Sequence, residues 1–187
     1  MGLGKTLTSI IVCYSLLLCK DLKDTTKAMV LCPSSLVQNW RNEIKKWKGF
    51  SGNPFIVSPG AQASDQVNTF RIGNASRYKV LIISYEMYRN NMEAVNATKG
   101  LGLVIADEGH RLKSNGSQIM QALSLLPARR RLVLTGTPIQ NDLQEFYEMV
   151  NFVNPGLLGS PSAFRERYLH PIEQSRERAS VAGGAAA

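Results

Sequence analysis

Four short apolar runs alternate with longer amphipathic stretches: Ala28-Met29-Val30-Leu31-Cys32, Lys79-Val80-Leu81-Ile82-Ile83-Ser84, Leu101 to Ala106 and Arg131 to Thr135. Apolar strands separated by helical segments are the pattern of a mostly parallel sheet wrapped by helices, because each crossover helix covers one face of the sheet. A fifth, brief strand is expected at Pro54 to Val57. Helices are expected from Lys5 to about Lys20, Leu36 to Trp47, Ala63 to Ile72, Tyr85 to Glu93, Ser117 to Leu126 (ended by Pro127) and Asp142 to Val153. Asp142 suits an N-cap. Leu36, Trp40, Ile44 and Trp47 recur at helical spacing and predict one apolar stripe. Asn115-Gly116 reads as a turn. Beyond Pro155-Gly156 the pattern changes to a helical extension of mixed charge, Pro161 to Gln174, and then to a tail without amphipathic pattern. The expected organisation is an α/β lobe over 1–155, an extension over 156–180 and a disordered tail over 181–187.

The 187 residues are 44% apolar and 19% charged, enough for one packed domain and unlike a disordered chain. Lys and Arg outnumber Asp and Glu by 22 to 14, a net charge of +8. That surplus suits a polyanionic partner without requiring one. Cys13, Cys19 and Cys32 form no C-x-x-C pair, which argues against a disulfide framework or a zinc site and weakly for a reducing compartment. Met1 to Thr6 fits a myristoylation pattern, and Lys5 before an apolar stretch imitates a signal peptide. Both readings yield to one that also accounts for residues a hundred positions away. No stretch reaches the roughly 18 apolar residues of a membrane span.

Three segments carry chemistry. Gly4-Lys5-Thr6 closes the pattern G-x-x-x-x-G-K-[ST], whose first glycine would precede Met1, so the chain is expected to begin inside this loop. The backbone of Gly2, Leu3 and Gly4 would turn its amides toward a β-phosphate. Lys5 would reach the β- and γ-phosphates, and Thr6 would ligate magnesium. Asp107 and Glu108 follow the run Leu103-Val104-Ile105-Ala106, at the carboxyl edge of the sheet where open α/β folds bind ligands. Asp107 would hold magnesium and Glu108 would orient and deprotonate a water. An isolated Asp-Glu pair is more often a solvated turn; the phosphate loop upstream and a Thr-rich loop downstream reverse that weighting. Thr135 and Thr137 offer hydroxyls able to sense a γ-phosphate, and His110 is expected to couple the acidic loop to theirs.

These residues carry a family resemblance. Met1 to Ile10, Leu31-Cys32-Pro33-Ser34-Ser35-Leu36-Val37-Gln38-Asn39-Trp40, Asp107 to Lys113, and Leu134-Thr135-Gly136-Thr137-Pro138-Ile139-Gln140-Asn141 resemble motifs I, Ia, II and III of the SWI/SNF-type ATPases in helicase superfamily two. Gly109, where Ala is usual, and the run Asn151 to Ser160 resemble the recombination-repair branch of DNA translocases. The likeness covers about 1–180. It implies a RecA-like P-loop lobe, the first of two, using ATP and Mg2+ to move along double-stranded DNA in the nucleus. It also implies a role in homologous recombination and chromatin remodelling, beside a recombinase filament. Gln140 joins the coupling residues by the same resemblance. Pro33, Ser34, Ser35, Ser84 and Tyr85 would face DNA. Arg111 and Lys113 would lie near its phosphates, with a solvated basic face the equal alternative for each.

The resemblance further implies that the strand before the phosphate loop and the whole second lobe, with its arginine fingers, are missing. Loss of such fingers costs roughly 10³–10⁵ in rate, so this chain alone is expected to be almost inactive. The alternatives are a non-catalytic nucleic-acid-binding or interaction fragment, and a different superfamily-two helicase.

Overall fold

The computed structural model describes residues 4–47, 53–74, 77–114, 116–136 and 142–175, and within these not the side chains of 113, 114, 116 and 117. Helix α1 (Lys5–Leu18) leads to strand β1 (Lys27–Cys32), which stops at Pro33, a residue with no amide to offer the ladder. A 3-10 turn (Ser34–Leu36) opens α2 (Val37–Lys46). Then come β2 (Asn53–Ile56), α3 (Ala63–Ile72) and β3 (Tyr78–Ser84). The single helix expected after β3 is two: α4 (Tyr85–Asn90) and α5 (Met92–Asn96), parted at Asn91, whose Nδ2 donates to the Met87 carbonyl. The amide side chain competes there for helical acceptors.

Strand β4 (Leu101–Ala106) is followed by α6 (Arg111–Ser114), which periodicity did not reveal because it is one turn long. Helix α7 (Gly116–Ser124) includes Gly116, so the turn expected at that residue is helical; Asn115 lies outside the described residues. Strand β5 (Arg130–Val133) is shorter than expected, and α8 (Leu143–Val153) is capped by Asp142, whose carboxylate accepts from the Glu145 amide. The extension begins with α9 (Pro161–Phe164), passes through a π-helical turn (Arg165–Leu169) and stays helical over 170–175. It docks on α8 through aromatic contacts: the Tyr147 and Phe164 rings are 4.9 Å apart, and the Tyr147 hydroxyl donates to Gly159 O at 2.8 Å.

All five strands are parallel, in the order β2-β3-β1-β4-β5. Their side chains alternate between two cores. Ala28, Val30, Cys32, Val80, Ile82, Leu103 and Ile105 pack with Ile10, Cys13 and Tyr14 of α1 and Trp40 and Ile44 of α2. Met29, Leu31, Leu81, Ile83, Val104 and Ala106 pack on the other face with Val67 and Phe70 of α3, Tyr88, Val95, Leu112, Ile119, Leu123 and Phe152. Helices on both faces of a parallel sheet is the architecture the alternating runs predicted. The stripe of α2 holds only in part: Trp40 is 1% exposed, but Trp47 falls one residue past the helix end and is 38% exposed.

At the amino edge of the sheet Lys27 is buried, with Nζ donating to the carbonyls of Phe70, Arg71 and Gly73 at the end of α3. A cation there satisfies the last carbonyls and the negative end of the helix dipole. Burial pulls its pKa below the usual lysine value.

Candidate functional site

Because the strands run parallel, Cys32, Ser84, Ala106 and Val133 all end at one edge, and the segments leaving them meet there. Asp107 is the first residue past β4 and is 7% exposed. Each of its polar atoms has a partner. Its amide donates to Leu31 O at 2.8 Å, its Oδ1 accepts from the Glu108 amide at 3.0 Å, its Oδ2 accepts from Trp40 Nε1 at 2.8 Å, and its carbonyl accepts from the Tyr85 hydroxyl at 2.9 Å. Burial, with the Asp107 charge adding to it, pushes the Tyr85 hydroxyl well above its usual range, so it stays a donor. The same two causes raise the Cys32 thiol to about 12.

Glu108 has φ 52, the one positive φ at a non-glycine among the described residues. Left-handed backbone costs a side-chain-bearing residue about 1–2 kcal/mol, and such strain collects where a side chain must point in one direction. The Arg111 amide, donating to Glu108 O at 2.9 Å, closes the turn. His110 Nδ1 lies 3.4 Å from Glu108 Oε2, close enough for an ion pair when the ring is protonated but without hydrogen-bond geometry. What ties the acidic loop to the Thr loop is backbone: Leu134 N donates to Ala106 O and Gly109 N to Leu134 O, both at 2.8 Å. Thr135 is half-buried just beyond.

Lys5 comes to the same place from the other side. Gly4 takes φ 72 at the N-cap of the 14-residue α1, and among the described residues no side chain caps its first amides and no acidic residue lies in its first turn. The Lys5 ammonium stands 3.5 Å from the point a Cβ of Gly136 would occupy. Gly136 is two residues beyond Leu134, which bonds to both Ala106 and Gly109. The lysine therefore lies beside the loop pair that carries Asp107 and Glu108, and Thr6 follows it on the helix. Gly2, Leu3, Thr137 and Gln140 lie outside the described residues, as does the side chain of Lys113.

The family described as SNF2-related domain matches residues 1–182.

The chain belongs to the SNF2-related domain family.

Among its relatives, "DNA repair and recombination protein RAD54-like" of Gallus gallus is 43% identical over 188 residues, 95% of this chain and 25% of that protein. "DNA repair protein rhp54" of Schizosaccharomyces pombe is 42% identical over 95% of this chain and 22% of its own length. The chain thus spans about a quarter of the length of these relatives. The "Sulfolobus solfataricus SWI2/SNF2 ATPase core in complex with dsDNA" superposes with a TM-score of 0.73 at 28% identity, covering 93% of this chain and 34% of that one. The fold is accordingly the RecA-like lobe of such cores.

Within this SNF2-related lobe the segments expected to face DNA divide. Ser34 and Ser35 are exposed, and Arg111 is exposed at the start of α6. Pro33, Ser84 and Tyr85 are buried. The Ser84 hydroxyl is occupied as N-cap of α4, accepting from the Met87 amide at 3.1 Å, and the Tyr85 hydroxyl is occupied on Asp107. Ser34, Gln38, Ser84 and Glu86 border one cavity of about 430 Å³ at the carboxyl edge. A larger cavity, about 800 Å³, lies at the opposite edge among Asp24, Lys99, Arg129 and Arg130, where Arg130 Nη1 donates to Thr25 Oγ1. It is remote from every motif.

Sequence reasoning missed Trp40, whose spacing marks it only as core. The available signal was chemical: a buried indole N–H needs an acceptor. Gly109 is explained by the packing, since a Cβ there would drive into Cγ1 of Val133 and meet Met149 Sδ at 3.5 Å. Gly109→Ala is therefore expected to lose about 1–3 kcal/mol of stability by overpacking. Val133→Ala in the same chain should recover most of it, as read from urea midpoints. Equal losses in single and double variants would contradict the contact.

Proposed function

We propose that the chain is the nucleotide-binding first lobe of an ATP-driven motor that translocates on double-stranded DNA during homologous recombination, in the nucleus and on chromatin. The observation that carries this reading is the meeting of the Lys5 ammonium with the Gly136 loop, next to the Asp107-Glu108 turn, at the carboxyl edge of a parallel sheet. A helix start, an ammonium and a buried, hydrogen-bonded carboxylate are a donor set suited to a triphosphate and a hard divalent cation. Magnesium bound there neutralises phosphate charge.

The roles follow from position. The first-turn amides after Gly4 and the Lys5 ammonium hold phosphate oxygens. Thr6 and Asp107 hold the metal. Glu108, aimed by its left-handed backbone, orients a water and accepts its proton. His110 stands beside Glu108 as a charge partner for that carboxylate, and the Gly109–Leu134 bond carries any shift of the acidic loop to Thr135. Ser34, Ser35 and Arg111 offer donors to a DNA backbone, with Pro33, Ser84 and Tyr85 shaping that rim from beneath. A recombinase filament is the partner suggested by the recombination proteins the chain resembles. One lobe lacks the charges a second lobe would add across the nucleotide, so turnover by this chain alone is expected to be very low.

The test is binding of labelled duplex DNA to this chain across a salt series. Each phosphate neutralised by a cation such as Arg111 contributes about −0.9 to the log–log slope, so binding is expected to weaken with salt at a slope of about −1 or steeper, with no preference for base sequence. A flat salt response, or RNA bound in preference to DNA, contradicts the duplex assignment.

A further inference from the structure

The geometry points to Trp40 and Tyr85 as positioning residues for the metal-holding carboxylate: together they fix Asp107 in the orientation that receives the divalent cation. The inference rests on the nucleotide reading above and deepens it. Nε1 of Trp40 donates to Asp107 Oδ2 across 67 residues of chain, and the Tyr85 hydroxyl donates to the Asp107 carbonyl across 22. Both bonds are buried. The two aromatics reach Asp107 from different elements: Trp40 lies in α2, on one face of the sheet, and Tyr85 opens α4 beyond β3. Each element also borders the same 430 Å³ cavity, through Gln38 and Glu86.

Of the remaining bonds, the Leu31 carbonyl takes the Asp107 amide across neighbouring strands, and the Glu108 amide holds one carboxylate oxygen, Oδ1. The indole anchors the other, Oδ2, so the carboxylate is held at both oxygens, while the Tyr85 hydroxyl holds the main chain beneath it. A ligating oxygen held by an outer partner is oriented before the metal arrives, and removing such a partner typically weakens metal binding by about 10–100-fold. Trp40 is 1% exposed and Tyr85 3%, so neither can itself touch a nucleotide at the edge. Their effect must pass through Asp107.

The experiment measures fluorescent-ADP binding to the full chain with and without Mg2+, in the parent, Trp40→Phe and Tyr85→Phe. Phenylalanine keeps a ring in the core at both positions, and Tyr85→Phe removes only one hydroxyl, so it stands even where Trp40→Phe folds poorly. The expected result is a metal-free nucleotide affinity within about twofold of the parent. The apparent Mg2+ affinity falls about 10–100-fold for Trp40→Phe and by a smaller factor of the same sign for Tyr85→Phe. Equal losses with and without metal would mean the aromatics are merely structural and overturn the inference. Unchanged Mg2+ affinity in both variants overturns it as well. A parent chain that binds no nucleotide at all overturns the nucleotide reading, and the inference with it. That outcome is distinct from metal-dependent binding that the variants leave untouched.

Discussion

Lys5→Ala should weaken Mg2+-ADP binding by two orders of magnitude or more while leaving the fold intact. The side chain is half-buried at the first position of α1, and its ammonium stands against the Gly136 loop, not in either core. Its removal opens no cavity in the sheet packing. A hydrogen bond to a charged group contributes about 1.5–3 kcal/mol, roughly 10- to 150-fold in affinity. The Coulomb attraction of an ammonium about 4 Å from a phosphate adds to that at a partly buried edge. Lys20→Ala is the control: it is exposed just beyond the far end of the same helix, toward the opposite edge of the sheet, and should leave affinity unchanged. Calorimetric titration reads both. A Lys5→Ala chain that binds nucleotide like the parent removes the lysine from the site.

The largest loss of stability is expected at Trp40. Trp40→Ala empties the volume of a large buried side chain between α1, α2 and the sheet, at about 3–5 kcal/mol. It also strips Asp107 Oδ2 of its indole donor, leaving a buried carboxylate short of one bond. Against a total stability of about 5–15 kcal/mol for an ordinary domain, that brings the chain to the margin of folding. Trp47→Ala, on the same nominal stripe, should cost about 1 kcal/mol, because more than a third of that ring already faces solvent. Urea unfolding of the two variants separates them. Equal losses would mean that the helical stripe, not the helix end at Lys46, decides burial.

That contrast marks where the sequence was legible. Strand positions were readable because an apolar run of six residues in a parallel sheet is buried on both faces, as β1 and β4 are throughout. Periodicity assigns Trp40 and Trp47 the same face but is silent on where α2 stops. One residue past the end, the backbone leaves helical geometry and takes Trp47 with it. Asn91 splits the helix after β3 through a side-chain bond that propensity does not foresee.

At the site, Lys5, Asp107 and Glu108 were singled out from residue type and order alone. What fixes them could not be read that way. The indole on Asp107 Oδ2 joins residues 67 apart, and the left-handed backbone of Glu108 has no signature in residue type, since a non-glycine rarely adopts it. Gly109 read as a variant of a motif; the close approach of Val133 gives the physical reason. Tyr85 read as a surface contact and proves buried, because the residue after a strand can turn inward as readily as outward.

The central claim is that one nucleotide and one cation engage Lys5 and the acidic turn together. Backbone NMR of the chain with substoichiometric Mn2+ and ADP tests it, since the paramagnetic ion broadens amides near it and spares the rest. The account predicts simultaneous loss of the Lys5, Thr6, Asp107, Glu108 and Gly136 signals, with Lys27, Lys99 and Arg130 at the opposite edge unaffected, and recovery in Asp107→Asn. Broadening confined to the opposite edge, or to the acidic turn with Lys5 and Thr6 untouched, contradicts it.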